Sequence, residues 1–403
     1  MKNRKDILFS PLRLPNLVLP NRFIRSATYE GWGNADGMPQ IDLSGLYLNL
    51  ARGGVGTLIT GFSFISKNGR AMHPGQCGMH SDEMIVPWQK ITGHVLSSVP
   101  EVKLIMQLAH AGRQTISKAT ESIPHGVSSR KCTYFRETVE VLDDTTIRAI
   151  VTEFADAAWR AKTAGFHGVQ IHAAHGYLVH QFLSPWTNTR TDRWAEPTLF
   201  LTEVIHAIRR KCGQRCPILV KLSVADDNLP GVRLNDTART VRLLEQLQID
   251  AVEISYGTME YAMNIFRGDF PVDLAMELNP LLNRVPRLLR KCWQDWVLHR
   301  YLKKIIPFTP NYNVMQAARI KTQTQLPVFA VGGIRSLENM VNCVTLHGLD
   351  AVGLCRPLIC EPDLPSKLQN GSSDCSQCLN CNLCTIHCDS QEPLKCYQKG
   401  KHK

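Results

Sequence analysis

His172 and His175 stand three residues apart, with Tyr177 two residues further on. Each imidazole can present an N–H, and two such donors side by side can hold a single oxygen. When a conjugated carbonyl takes a hydride at its β carbon, negative charge builds on that oxygen, and preorganised donors stabilise it as an oxyanion hole does. Tyr177 stands where a phenol can protonate the α carbon from the opposite face. The bland alternatives are histidines that pack internally or a zinc pair. Zinc needs further ligands, and no carboxylate or cysteine stands at a compatible local spacing, so the cluster favours carbonyl chemistry.

Two other groups could bind ligands. Gly332-Gly333 and Cys355-Arg356 each follow a short apolar run, and backbone N–H groups with one guanidinium suffice for a phosphate monoester. The glycines alone could be tight turns; their pairing with Arg356 favours phosphate. No G-x-G-x-x-G follows an early strand, so a Rossmann dinucleotide site is not supported. Near the end, Cys378, Cys381, Cys384 and Cys396 read C-x₂-C-x₂-C-x₁₁-C, with Cys375 and Cys388 beside them. Four thiolates so spaced can ligate a [4Fe–4S] cluster or a zinc ion.

Something must position these groups. Apolar runs occur at 23–28, 55–60, 103–108, 168–172, 218–222, 251–255, 328–331 and 351–354. Helical patterns separate them, the clearest being Ile147 to Ala161 after a Thr145/Thr146 cap. Alternating strand and helix units imply a parallel sheet covered by helices. Eight units favour closure into an α/β (β/α)₈ TIM barrel over an open doubly wound sheet, and in a barrel the chemistry belongs at the C-terminal ends of the strands. There the histidine cluster, Gln107 and Lys221 fall, and the two phosphate candidates follow strands seven and eight. Residues 1–370 are read as the barrel, with 259–313 an insertion before strand seven that lies over its mouth. Residues 371–403 are a Cys-rich tail unable to form its own core.

Composition agrees. In 403 residues, 44% hydrophobic and 20% charged side chains mark a globular protein. A charged start and the lack of any long apolar run imply no signal peptide, no membrane span and a cytoplasmic location. The 14 cysteines then read as reduced thiols. A net charge of +11 suits anionic small molecules, but the basic residues are dispersed except around 284–304, without the interleaved aromatics of a nucleic-acid site.

Asn21-Arg22-Phe23 with Ala27-Thr28, Gln107-Leu-Ala-His-Ala-Gly-Arg113, His172-Ala-Ala-His175-Gly-Tyr177 with Gln181-Phe-Leu-Ser-Pro185, and Val331-Gly-Gly-Ile334 resemble the old yellow enzyme family of NADH:flavin oxidoreductases over residues 7–370. The resemblance implies a barrel holding FMN without a covalent link, reduced by NADH or NADPH and reoxidised by an α,β-unsaturated carbonyl or related electrophile. It implies that Ser26, Ala27 and Thr28 back the flavin ring, with Thr28 near its C4 carbonyl. Phe62 would offer a backbone N–H, Gln107 would bond the pyrimidine edge, and Lys221 would stand near N1, where a cation favours the reduced flavin. His172, His175 and Tyr177 keep the roles argued above. Cys355 replaces a glycine that many members carry before the phosphate arginine. Glu30 takes the place of a substrate-stacking tyrosine in some branches, making it a substrate-binding candidate.

The tail resembles that of the 2,4-dienoyl-CoA reductase branch, in which a cysteine cluster follows the barrel and a nucleotide domain lies beyond it. The expected function is therefore an ene-reductase-like NAD(P)H:FMN oxidoreductase acting on a small electrophile. Alternatives are an electron-accepting subunit with an Fe–S tail, working with a redox partner protein or as a homo-oligomer, and a non-catalytic flavin- or metal-binding interaction module.

Overall fold

Eight parallel strands close on themselves: β1 (Phe23–Arg25), β2 (Thr57–Ile59), β3 (Lys103–Ala109), β4 (Gly168–Ala173), β5 (Ile218–Ser223), β6 (Ala251–Ser255), β7 (Val328–Val331) and β8 (Ala351–Leu354). Each pairs with the next, and β8 returns to β1 with Gly353 opposite Ile24. The structure, a computed structural model, describes residues 4–398, so residues 1–3 and 399–403 at the two ends of the sequence-derived domain limits lie outside the described residues. After β1 to β8 come α1 (Leu43–Arg52), α2 (Ile85–Ser98), α3 (Asp144–Thr163), α4 (Leu199–Cys212), α5 (Leu234–Gln246), α6 (Val314–Lys321), α7 (Leu337–Thr345) and α8 (Leu364–Asn370). The fold is a (β/α)₈ barrel.

The strands look uniformly buried, yet their two faces differ because side chains alternate. Val220, Leu222, Val252 and Ile254 point outward and pack under the helices. The alternate set fills the barrel. At its N-terminal end Ile24, Ile59, Ile105, Leu219, Phe329 and Ala351 form an apolar layer, plugged by Leu12, Leu14 and Leu19 of a small antiparallel hairpin. One layer higher the inward residues are Gln107, Gln170, Lys221 and Glu253, all buried. Stability lies at the bottom and polarity near the top.

Local chemistry fixes the start of the longest helix. The start of α3 is set by Asp143, whose carboxylate accepts from the Thr146 N–H at 2.7 Å, rather than by Thr145 or Thr146. A carboxylate is the stronger acceptor at a helix N-terminus.

Between β6 and α6 the chain forms a series of short helices, and residues 371–398 run across the same end of the barrel. The Asn382 side chain donates to the Asp269 carbonyl at 2.9 Å, and Arg356 donates to the Arg267 carbonyl at 2.8 Å. The Leu394 N–H reaches the Glu30 carbonyl at 2.9 Å. At the other end of the segment, buried Glu260 pairs with Arg113 at 3.1 Å. These bonds tie segment, tail and barrel rim together.

Candidate active site

A cavity of about 810 Å³ opens at the C-terminal ends of the strands. Its floor is a chain of buried polar groups supplied by β3 to β6. Gln107 Nε2 donates to Gln170 Oε1 at 2.7 Å, and Gln170 Nε2 donates to Glu253 Oε2 at 3.0 Å. Lys221 Nζ lies 3.4 Å from the same carboxylate oxygen and donates to Ser26 Oγ at 2.7 Å. Glu253 Oε1 has no hydrogen-bond partner. Buried polar atoms without partners are rare in folded proteins, and each calls for an explanation.

The histidine cluster forms one wall. Leaving β4, the chain turns through His175 at φ +61°, a left-handed conformation uncommon for a residue with a Cβ. The turn is held by Ser223 Oγ, which accepts from the His175 N–H at 3.0 Å, and by Gln114, which donates to the His175 carbonyl at 2.8 Å. The His172 ring is 5.0 Å from that of His175 and 4.9 Å from that of Tyr177. His175 Nε2 lies 2.8 Å from Ser255 Oγ, whereas the buried His172 Nδ1 has no partner among the described residues. The two imidazoles are therefore not equivalent. The Tyr177 hydroxyl makes no hydrogen bond to any described residue.

Burial, then Lys221, lowers the His172 pKa well below the usual value; for His175 the causes are burial, His172 and Lys221 in that order. Both rings are neutral near pH 7, and each carries a single N–H. Burial also takes His110 down to about 3. A histidine that stays neutral in the fold but protonates in the unfolded chain destabilises the fold as pH falls below the unfolded value of 6.5. His110 and His172, 1% and 2% exposed, should together lower stability by about 2 to 3 kcal/mol per pH unit below about pH 6. Urea titrations across that range check this. A flat profile would mean that they take up protons in the fold.

At the other end of the cavity lie Gly332, Gly333, Cys355 and Arg356. Gly332 (φ +136°) and Gly333 (φ +76°) are crowded as well as left-handed: a Cβ on Gly332 would sit 2.5 Å from the Tyr312 ring, and one on Gly333 2.8 Å from the Asn311 N–H. Neither position can carry a side chain without displacing Tyr312, Asn313 or the Asn311 backbone. The Arg356 guanidinium donates to the Phe266 and Arg267 carbonyls. Arg335, which sequence reasoning passed over, lines the same end with its Nε unpartnered.

Such a cradle, a buried cation and an orphan imidazole nitrogen on one parallel barrel fit a flavin-binding family, and a sequence model of the NADH:flavin oxidoreductase / NADH oxidase family matches residues 7–279. The chain belongs to that family. An "NADH oxidase" from Thermoanaerobacter brockii is 28% identical over 388 residues, which cover 93% of this chain and 53% of that protein. An "NADPH dehydrogenase" from Bacillus subtilis is 30% identical over 270 residues, 65% of this chain and 77% of that one. The chain spans about half the length of the NADH oxidase and of a metal reductase from Desulforamulus reducens. Among solved structures, an old yellow enzyme homologue from Zymomonas mobilis superposes with a TM-score of 0.69 at 21% identity, covering 91% of this chain and 93% of that one. A 2-naphthoyl-CoA reductase complex gives 0.81 at 20% identity over 97% of this chain and 56% of that one.

Most of the sequence-derived candidates of this flavin oxidoreductase-family chain converge on the cavity. Ala27, Thr28, Phe62, Gln107, His172, His175, Tyr177, Lys221, Gly332, Gly333, Cys355 and Arg356 all line it. The Ser26 side chain is buried behind the wall as the acceptor for Lys221. Glu30 is corrected as a substrate-binding residue. Its carboxylate points into the barrel wall, 2.8 Å from Arg25, and accepts from the Tyr47 hydroxyl and the Gly61 N–H. A buried carboxylate is tolerable only with such partners, and Tyr29 lines the cavity in its place.

The tail cysteines are close without converging. Burial and the neighbouring thiols Cys378 and Cys381 push the Cys384 thiol up to about 12, and Cys384 and Cys388 line the cavity. Among the described residues no group of three or more His, Cys, Asp or Glu side chains is gathered where one metal ion could be held.

Proposed function

We propose that the cavity holds FMN and that the chain is an ene-reductase-like NAD(P)H:FMN oxidoreductase for an α,β-unsaturated carbonyl or related electrophile. The observation that carries this reading is the orphaned His172 Nδ1, buried in the cavity wall beside Tyr177 and above the Gln107 to Lys221 floor. Bound there, FMN would accept a hydride from the nicotinamide nucleotide and deliver one to the alkene. Gly332, Gly333, Cys355 and Arg356 would surround its phosphate, Ala27 and Thr28 would back its ring, and Gln107 and Lys221 would meet its pyrimidine edge. His172, assisted by His175, holds the substrate carbonyl oxygen, and Tyr177 supplies a proton to the α carbon. Burial raises the Tyr177 pKa, which keeps the phenol protonated and able to give that proton. Residues 259–313 and the tail roof the mouth and exclude water, which strengthens every polar contact beneath them.

Freshly purified protein, reconstituted with FMN if colourless, should show a flavin spectrum that NADH or NADPH bleaches under argon and that cyclohexenone restores. Failure to take up FMN would overturn the reading. Gly332→Val should abolish flavin retention, because a Cβ there would displace the Tyr312 ring and the buried Asn313 amide that wall this end of the cavity; the flavin spectrum of the purified variant checks it.

A second reading concerns the tail. A [4Fe–4S] cluster holds each thiolate on a different iron, so it does not require the convergence a single ion does, and three thiols of the motif already lie within one another's field. Iron and acid-labile sulfide in anaerobically prepared protein would support it.

A further inference from the structure

Residues 282–304 carry seven Lys and Arg (284, 287, 290, 291, 300, 303 and 304) against one carboxylate, Asp295. That is more than half of the chain's net charge of +11 in one short segment. None of the seven forms an ion pair with any described residue. The segment also exposes large apolar side chains: Leu288 is 97% exposed, Trp296 68% and Leu289 57%. Water contact for side chains of that size is unfavourable unless something covers them.

The two features share residues 282–304. Arg290–Trp293, Gln294–Leu298 and His299–Leu302 run on as a single irregular helix. Its inner face places Trp293, Leu298 and Tyr301 on the cavity. Leu289, Cys292, Trp296, His299 and Lys303 follow at helical spacing on the outer face, flanked by Arg287 and Lys291, whereas Arg284, Arg300 and Lys304 line the cavity. An amphipathic helix with basic flanks and a protruding tryptophan matches the chemistry of an anionic lipid surface: cations meet headgroups and Trp and Leu enter the acyl boundary. At 13 residues it is far too short to cross a bilayer of about 30 Å, and no described helix is long and apolar enough to do so. The contact is superficial.

We propose that residues 282–304 are a membrane-docking element that seats the barrel mouth on an anionic lipid bilayer. Because the same helix lines the cavity on its other face, docking places the entrance against the lipid phase and gives a lipophilic substrate a route that avoids water. The docking itself does not depend on the flavin reading.

The whole chain should float with vesicles of phosphatidylglycerol and phosphatidylcholine in equal parts, should not float with phosphatidylcholine alone, and should be partly released by high salt. Reversing three cations outside the cavity (Arg287→Glu, Lys291→Glu, Lys303→Glu) should weaken partitioning about a hundredfold or more. Leu288→Ala with Trp296→Ala should weaken it while leaving flavin content and turnover of a water-soluble enone unchanged. Failure of the parent chain to bind the anionic vesicles, or equal binding by the variants, would overturn the proposal. So would a result in which the chain ignores vesicles but sediments as a dimer that these substitutions dissociate, because the face would then be a subunit interface.

Discussion

Replacing His172 with alanine should slow reoxidation of the reduced protein by an enone by about two to three orders of magnitude, the usual penalty for removing one preorganised donor to a developing oxyanion. Flavin content should be unaffected, because the side chain reaches no part of the floor network. The size of the effect follows from two observations. His172 Nδ1 has no partner among the described residues, so no protein group must be displaced when a carbonyl oxygen arrives. Its ring is neutral, so the donor is present over the whole range above about pH 6 and the reoxidation rate should be flat there. His175→Ala should cost less, since its Nε2 already faces Ser255 at 2.8 Å. His172→Asn, which restores a donor on a shorter arm, should recover part of the loss. Stopped-flow reoxidation measures all three, and an unchanged rate in His172→Ala would remove the imidazole from the chemistry.

The expected order, His172 before His175, could not have been read from the sequence. Spacing placed both rings after β4 and made them look alike; the difference comes from Ser255 on β6, a neighbour only once the barrel has closed. The same limit explains the floor. Gln107 and Lys221 were legible because the family resemblance assigns them to the flavin, but Gln170 and Glu253 sit mid-strand among apolar residues with no such motif. Only the register that sets Gln170 beside Gln107 and Glu253 beside Lys221 reveals them as one network.

The strands themselves were legible to within a few residues, since fully buried parallel strands write themselves as short apolar runs. Glu30 misled for a related reason. The resemblance offered it as a substrate contact in place of a stacking tyrosine, yet it is the buried counter-ion of Arg25, whose side chain leaves the strand on the face opposite Ile24. Arg335 was passed over because it follows the glycine pair in a loop, where sequence pattern says nothing about which way a long side chain turns.

Lys221→Met should be among the most destabilising single substitutions in the barrel, by about 3 to 5 kcal/mol, the range for removing one member of a buried ion pair. Glu253 is 0% exposed and has one oxygen already unpartnered. Without the ammonium at 3.4 Å its charge would be held only by the Gln170 amide. Adding Glu253→Gln should restore most of the stability, because the amide needs no counter-charge and can still accept from Gln170. Chemical denaturation of the flavin-free protein measures both variants; a single variant as stable as the parent would show that the pair contributes nothing. Flavin retention should behave differently. Both variants lack the cation facing the cavity, so both should bind FMN weakly even though only one is unstable. If the lysine were merely a packing partner for Glu253, recovering the fold would recover the flavin. A stable double variant that stays colourless would instead show that the positive charge faces a ligand, with Glu253 beneath it keeping that charge in place.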